Sequence, residues 1–438
     1  MPPTAVEAVA STVPQMIAPN AARVTSLPAR GRAALLAGAG IVLVALNLRA
    51  AITSLGALLE EVSAGLHLSA TAAGAITTLP ALSFAAFGAL TPRLARRLSS
   101  AQLLVGSMLL LAAGQLVRVL TGSAAVFLAS SALALAGIAV ANILLPALVK
   151  EHFPHRTGLV TGVYTMTLIL GSTLGAAASV PIAHTLGGWR AGMGVWALLA
   201  VVAALPWLAT RRAAGRARAA RGAEAEPLRP GRTRLGWALA LYFGAQSLSG
   251  YATMGWLAQM FRDAQFSPAT AGLLLAAVPA FGVPLALLMP AIAGRLRDLR
   301  GLVLLMSTAM IASYVGLALA PHSGALAWVS LLAFGQSAFP LALAMIGMRA
   351  RTAQGVVALS AFAQSTGYLI AALGPLVVGI LYEATGGWTL PLGFLIAAAV
   401  VQAAAGVAAA RPRHLEDEPC NRAHIWHELP ARHGSVTA

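Results

Sequence analysis

Acidic residues are scarce in this chain: thirteen Asp and Glu in 438 positions, none of them deep inside any of its long apolar runs. Membrane-embedded chemistry on lipid or polyprenyl substrates needs clustered carboxylates for metal or acid–base work, so a membrane enzyme is disfavoured. A single cysteine, Cys420, excludes an internal disulfide and any cysteine metal cluster. His67, His184 and His322 fall singly in predicted turns or helix ends, so neither a metal site nor a cofactor is expected. A P-loop is missing too, which speaks against ATP-driven work by this chain. Aromatic residues make up only 6% of the chain and do not interleave with the basic ones, so the net charge of +16 does not point to nucleic acid.

What fills the chain is apolar. Hydrophobic residues make up 58% of it, and its mean hydropathy is +0.80. That composition belongs in a lipid bilayer. Windows of about 20 apolar residues predict helices near 34–56, 70–91, 101–120, 124–148, 159–183, 191–210, 235–257, 269–293, 302–320, 325–348, 356–381 and 388–410. The expected organisation is a disordered leader (1–33), a six-helix bundle (34–210), a basic linker (211–234), a second six-helix bundle (235–410) and a tail (411–438). The leader has no apolar core of its own, so a cleaved signal peptide is not expected.

Basic residues set the expected topology. With the N-terminus inside, 25 of the 29 Lys and Arg fall in the leader, linker, tail and alternate loops. The positive-inside rule then puts both termini in the cytoplasm. Arg118, Arg190 and Arg262 lie at or near the other side; Arg118, close to a helix end, is expected to snorkel to the interface or to pack there, with attraction of an anion at the mouth as the alternative. Arg49 is the sole remainder.

The halves repeat. At an offset of 198, Ser69, Gly74, Pro92 and Arg97 meet Ser267, Gly272, Pro290 and Arg295; at 199, Gly175 meets Gly374, and "GGW" at 187–189 meets "GGW" at 386–388. A duplicated six-helix unit follows, an arrangement that in known transporters places the solute site between the repeats near the midplane.

Twelve helices, a basic central linker and this repeat resemble the major facilitator superfamily over roughly residues 34–410. The resemblance implies an all-α integral membrane protein with two pseudo-symmetric bundles. The superfamily's loop motif after helix two stands here as "GALTPRLARR": Arg93, Arg96 and Arg97 keep its basic positions, while Pro92 replaces its acidic residue and Ala95 its second glycine. Gly162, Gly171 and Gly175 keep the spacing of the superfamily's antiporter motif, with Ala176 for its proline. Close helix approach is the role expected of these glycines. More narrowly, "LNLRAAITSLGALL", "LLPALVKEHFPHRTG", "GQSAFPLAL" and "FAQSTGYLIAALGP" resemble the cyanate and 2-nitroimidazole transporter family (CynX/NimT), with Ala50 and Ala57 where that family usually has proline. That resemblance implies a bacterial-type cytoplasmic membrane.

An arginine at the centre of a membrane helix costs about 2.5–3.5 kcal/mol on insertion scales and persists only against protein or water. Arg49, Thr53 and Gly56 share one helical face, and Asn47, Ala51 and Ser54 another. With no acidic residue buried near it by sequence, Arg49 suits an anionic or strongly dipolar solute; the alternative is a tie between helices through backbone carbonyls. Polar stripes mark two further inward faces. Tyr242, Gln246, Ser249 and Thr253 lie on helix seven, and Ser360, Gln364 and Tyr368 on helix eleven. The expected substrate contacts are Arg49, Asn47, Thr53, Gln246, Tyr242, Gln364 and Tyr368. Asn142, Gln336 and the helix-five stripe of Thr161, Thr165 and Ser172 are expected to bond between helices, and Tyr164 and Phe339 to pack in the core, with a place among the cavity aromatics as the alternative.

The expected function is secondary or facilitative transport of a small polar or anionic solute by a monomer. A proton or counter-ion remains open as co-substrate, and multidrug or metabolite efflux is the alternative.

Overall fold

The computed structural model describes residues 29–68, 70–220 and 228–422. Most of the predicted leader, Ser69, residues 221–227 of the linker and residues 423–438 of the tail lie outside that range. Among the described residues the chain forms α1 (Ala29–Ala57), α2 (Leu59–Leu66), α3 (Ala70–Arg97), α4 (Ser100–Leu120), α5 (Ala124–His152), α6 (Thr157–Thr185), α7 (Trp189–Ala220), α8 (Arg234–Asp263), α9 (Pro268–Ala293), α10 (Arg300–Leu319), α11 (Ala325–Gln336), α12 (Ala338–Met348), α13 (Ala353–Thr385), α14 (Thr389–Ala410) and α15 (Pro419–Arg422). Counting α11 and α12 together, ten spans are long and apolar enough to cross a membrane. The remaining two of the twelve predicted helices are α3, of 28 residues, and α8, of 30.

Hydroxyl caps start several of these helices. Ser99 and Gln102 form a reciprocal capping box at α4, while Thr233, Ser267 and Thr352 accept from the N–H groups of Gly236, Thr270 and Gly355. The two "GGW" turns use backbone that L side chains rarely adopt: Gly187, Gly188 and Gly386 have φ of 87°, 123° and 64°.

Within the first half α1 packs on α6 and α7, and α4 on α5 and α7; within the second, α8 packs on α13 and α14, and α10 on α11 and α14. The sequence repeat is visible in this packing. A Cβ on Gly175 would lie 2.6 Å from the Ala50 carbonyl oxygen, and one on Gly374 would lie 2.6 Å from that of Leu248. These are equivalent crossings at the two repeat offsets.

The halves meet along α3–α13 and α6–α9. Their contacts are not spread evenly along the seam. Gly158 abuts the backbone of Pro290 and Gly294, a Cβ on Gly162 would come 2.5 Å from the Leu287 oxygen, and one on Gly347 would come 3.4 Å from Thr157 Cγ2. Thr165 Oγ1 donates across the seam to the Ala286 oxygen at 2.9 Å. Pro290 explains why that oxygen is free, because its missing N–H is the donor the helix would have supplied. Among the described residues, the hydrogen bonds joining the two bundles all lie between mid-depth and the end that carries the linker. Toward the other end of α9, nothing lies within 4 Å of a Cβ at Gly272 or Gly282.

Three boundaries differ from the sequence reading. Helix six continues to Ala220, into the predicted linker. Predicted helix ten breaks at Ser337 into α11 and α12, because Pro340 cannot donate to the Gln336 oxygen. The start of the predicted tail folds back onto the bundle. Arg349 donates through Nε to the Ala409 oxygen (3.0 Å) and through Nη2 to that of Ala410 (2.6 Å), capping α14, and Leu415 N donates to the Arg349 oxygen (2.8 Å).

At the end opposite the linker, Asp263 ties three helices together, past the predicted span 235–257. Its carboxylate accepts from Tyr382 Oη (2.7 Å), Trp388 Nε1 (2.9 Å) and Gln259 Nε2 (2.8 Å). Partial burial pushes its pKa up, but these three donors outweigh burial and hold it below the ordinary carboxylate value.

Candidate functional site

Arg49 lies in the second half of α1 and is half-buried. Its guanidinium crosses the seam to the hydroxyls of Tyr251 on α8 and Tyr368 on α13, and stands 5.8 Å from the ring centroid of Phe339 on α12. The Tyr368 ring is in turn 4.8 Å from Phe84 of α3 and 5.2 Å from Phe243 of α8, and Phe243 is 5.7 Å from Phe339. One cation of the first half thus faces three aromatic rings of the second, with Phe84 and Phe243 packed behind them.

A polar chain continues from this group. Asn142 Nδ2 of α5 donates to Gln364 Oε1 at 3.0 Å and to Tyr368 Oη at 3.3 Å, and Gln364 Nε2 donates to Ser360 Oγ at 2.6 Å. Asn142 belongs to the first bundle and its acceptors to the second, so the chain ties the halves at the depth of Arg49. The described acidic residues all lie in loops or near helix ends. The centre is therefore positive, with planar walls, two tyrosine hydroxyls and no internal counter-charge. Such a group recognises a small planar or linear anion, or a flat, strongly dipolar solute, with guanidinium donating two N–H bonds side by side.

The structure sorts the predicted contacts. Arg49, Gln364 and Tyr368 converge on this centre. Thr53 has its hydroxyl on the Arg49 and Ser172 oxygens (3.1 and 2.9 Å), which ties α1 to α6. Gln246 Nε2 donates to the Gln336 oxygen (3.1 Å) and Gln336 Oε1 (2.9 Å), supplying the bond that Pro340 takes away. Asn47 is fully buried with neither amide atom partnered, on the opposite face of α1 from Arg49. Tyr242 packs against Gly406 of α14 within the second half. Of the glycines, Gly162 sits at the seam, while Gly171 and Gly175 abut the Leu46 and Ala50 backbone of α1. Arg93, Arg96 and Arg97 are exposed at the linker end.

Phe339, for which core packing was the first expectation, lies beside the guanidinium, and Asn142, expected to bond between helices, does so across the two halves. Tyr251 falls outside both predicted stripes. It stands one turn beyond Ser247, the position that pairs with Arg49 at the repeat offset of 198, and that offset is the sequence signal that points to it. Of the two roles expected for Arg118, packing is the one observed: it is 3% exposed, between α4 and α5 beside Phe127.

Comparison with known proteins agrees with this architecture. Residues 38–348 match the model of the Major Facilitator Superfamily. The chain is 32% identical over 392 residues to the 2-nitroimidazole transporter of Escherichia coli K12, covering 89% of this chain and 99% of that one. It is 30% identical over 358 residues to the cyanate transport protein CynX of the same organism, covering 81% and 92%. Among solved structures it is similar to the transporter FucP in the outward conformation, with a TM-score of 0.68 at 14% identity over 86% of this chain and 99% of that chain.

Proposed function

Because this chain belongs to the major facilitator superfamily and is a multi-pass membrane transporter of small solutes related to the cyanate and 2-nitroimidazole transporters, we propose that it moves a small anion or a flat nitro-aromatic solute, bound at Arg49, by alternating access of its two halves. The observation that carries this reading is the Arg49 guanidinium at the seam, facing Tyr251, Phe339 and Tyr368 of the other half with no carboxylate to neutralise it. A nitro or carboxylate group fits the fork of the guanidinium, and an attached planar ring fits the aromatic walls. Contacts from both halves close around one solute, so its presence couples their motion.

The excess of basic residues at the linker end supports a cytoplasmic placement of that end and of both termini. The seam is joined from mid-depth to that same end, which supports reading this conformation as one that admits solute from outside, like the outward conformation of FucP.

The test is uptake of radiolabelled 2-nitroimidazole and of cyanate into proteoliposomes by the wild type and by Arg49→Gln. Loss of a charged hydrogen bond of about 1.5–3 kcal/mol predicts a roughly 10- to 150-fold fall in apparent affinity with an unchanged Tm. Equal uptake by both proteins, at equal Tm, overturns the site.

A further inference from the structure

A second cationic group lies inside the first bundle, away from the seam. Arg118 is 3% exposed, and its Nε and Nη2 have no hydrogen-bond partner among the described residues. One turn earlier, Gln115 is fully buried with both amide atoms unpartnered, and across on α5 the Ser131 hydroxyl is buried and unpartnered as well. The antiparallel register of the two helices brings these groups together. A Cβ on Gly114 would lie 2.7 Å from the Ser130 oxygen, and one on Gly137 would lie 3.0 Å from Leu111 N. Continued along the pair, this pairing sets Gln115 level with Ser131 and Arg118 level with Phe127, whose ring centroid is 5.9 Å from the guanidinium.

A buried amide and hydroxyl at one level, with a buried guanidinium one turn away, each with unused hydrogen-bonding atoms, are expensive to keep unless something satisfies them. Among the described residues there is no counter-charge there. Glu60 and Glu61 of α2, at the same end of the bundle, are exposed, and the nearby Arg190 adds positive charge while donating to the Thr121 oxygen at 3.2 Å.

We propose that Arg118, Gln115 and Ser131 form a binding site for a small monovalent anion of the halide class, separate from the transport site. One arginine matches one negative charge, and the guanidinium, amide and hydroxyl supply donors for a spherical acceptor. Bound there, the anion holds α4 to α5 and stabilises the first bundle.

The test uses the purified full-length protein, its Tm followed while sodium gluconate is replaced by sodium chloride or bromide at constant ionic strength. The wild type is expected to show a saturable rise of about 2–4 °C, Arg118→Gln and Gln115→Leu to lose it, and Arg49→Gln to keep it. A Tm indifferent to halide, or a response lost in Arg49→Gln but kept in Arg118→Gln, overturns the proposal. Should the Arg118 variant fail to fold, anomalous diffraction from wild-type crystals in bromide decides: a peak among residues 115, 118 and 131 supports the site, and a featureless map there overturns it.

Discussion

A methyl group added at Gly162 should push the linker end of the molecule open. The Cβ of Gly162→Ala would come 2.5 Å from the Leu287 oxygen and 3.1 Å from its carbonyl carbon and Cα. A relaxed C···O contact is about 3.3 Å, so α6 and α9 must part by roughly 0.8 Å at their crossing. Overpacking of this size costs about 1–3 kcal/mol. It falls only on the conformation in which these helices touch, because once the halves rock apart the methyl meets nothing. The equilibrium should therefore shift by about 5- to 150-fold toward the state open at the linker end. Ser365→Cys, introduced with Cys420→Ser, reports on this from the other seam, where Ser365 is buried against Gly88 and donates to the Phe84 oxygen at 3.5 Å. Its labelling by an impermeant maleimide applied from the linker side should accelerate by the same factor in Gly162→Ala. Gly175→Ala is the control: its Cβ would meet the Ala50 oxygen at 2.6 Å, within one half, so it should lower Tm and leave labelling unchanged. An unchanged labelling rate in a folded Gly162→Ala protein, or equal acceleration by both variants, refutes the reasoning.

Two further outcomes follow from the same contacts. Asp263 has a lowered pKa when folded, so its stabilisation is present above the unfolded value of about 3.9 and is lost as pH falls through the folded value. The Tm of the wild type should drop on acidification below about pH 4, while Asp263→Asn starts lower at pH 7 and loses less; parallel Tm curves for the two proteins would contradict this. Gln246→Leu removes the donor that Pro340 made necessary, leaves the Gln336 oxygen unpaired and should cost about 1–3 kcal/mol by thermal denaturation. In a Pro340→Ala background the helix regains its own N–H donor, so the cost of Gln246→Leu should fall by half or more, and strict additivity of the two changes would count against the assignment.

Much of this was legible from hydropathy and spacing. The helices appear where their apolar windows lie, since a bilayer leaves a spanning backbone little choice beyond helix. Arg49 was identifiable because a charge at mid-depth must face protein or water. The partners of the polar stripes were not. Helical periodicity says that Tyr242, Gln246, Ser249 and Thr253 share a face, but not which neighbour that face meets. Tyr242 turned out to face α14, and Gln246 a carbonyl freed by a proline nearly a hundred positions along the chain. Asn142 looked isolated for the same reason, because its acceptors come from the other repeat.

The bond from Thr165 to the Ala286 oxygen has a property that suits a seam that opens repeatedly. The same hydroxyl stands 2.9 Å from the Thr161 oxygen and 3.1 Å from the Gly162 oxygen of its own helix. When the halves separate, its hydrogen turns back to those carbonyls and is never stranded, while the Ala286 oxygen is left facing the water that enters the gap. A fastening with two resting positions holds the bundles in register when they are shut and resists little when they part, so the alternating access proposed above could run in both directions without a deep trap at either end.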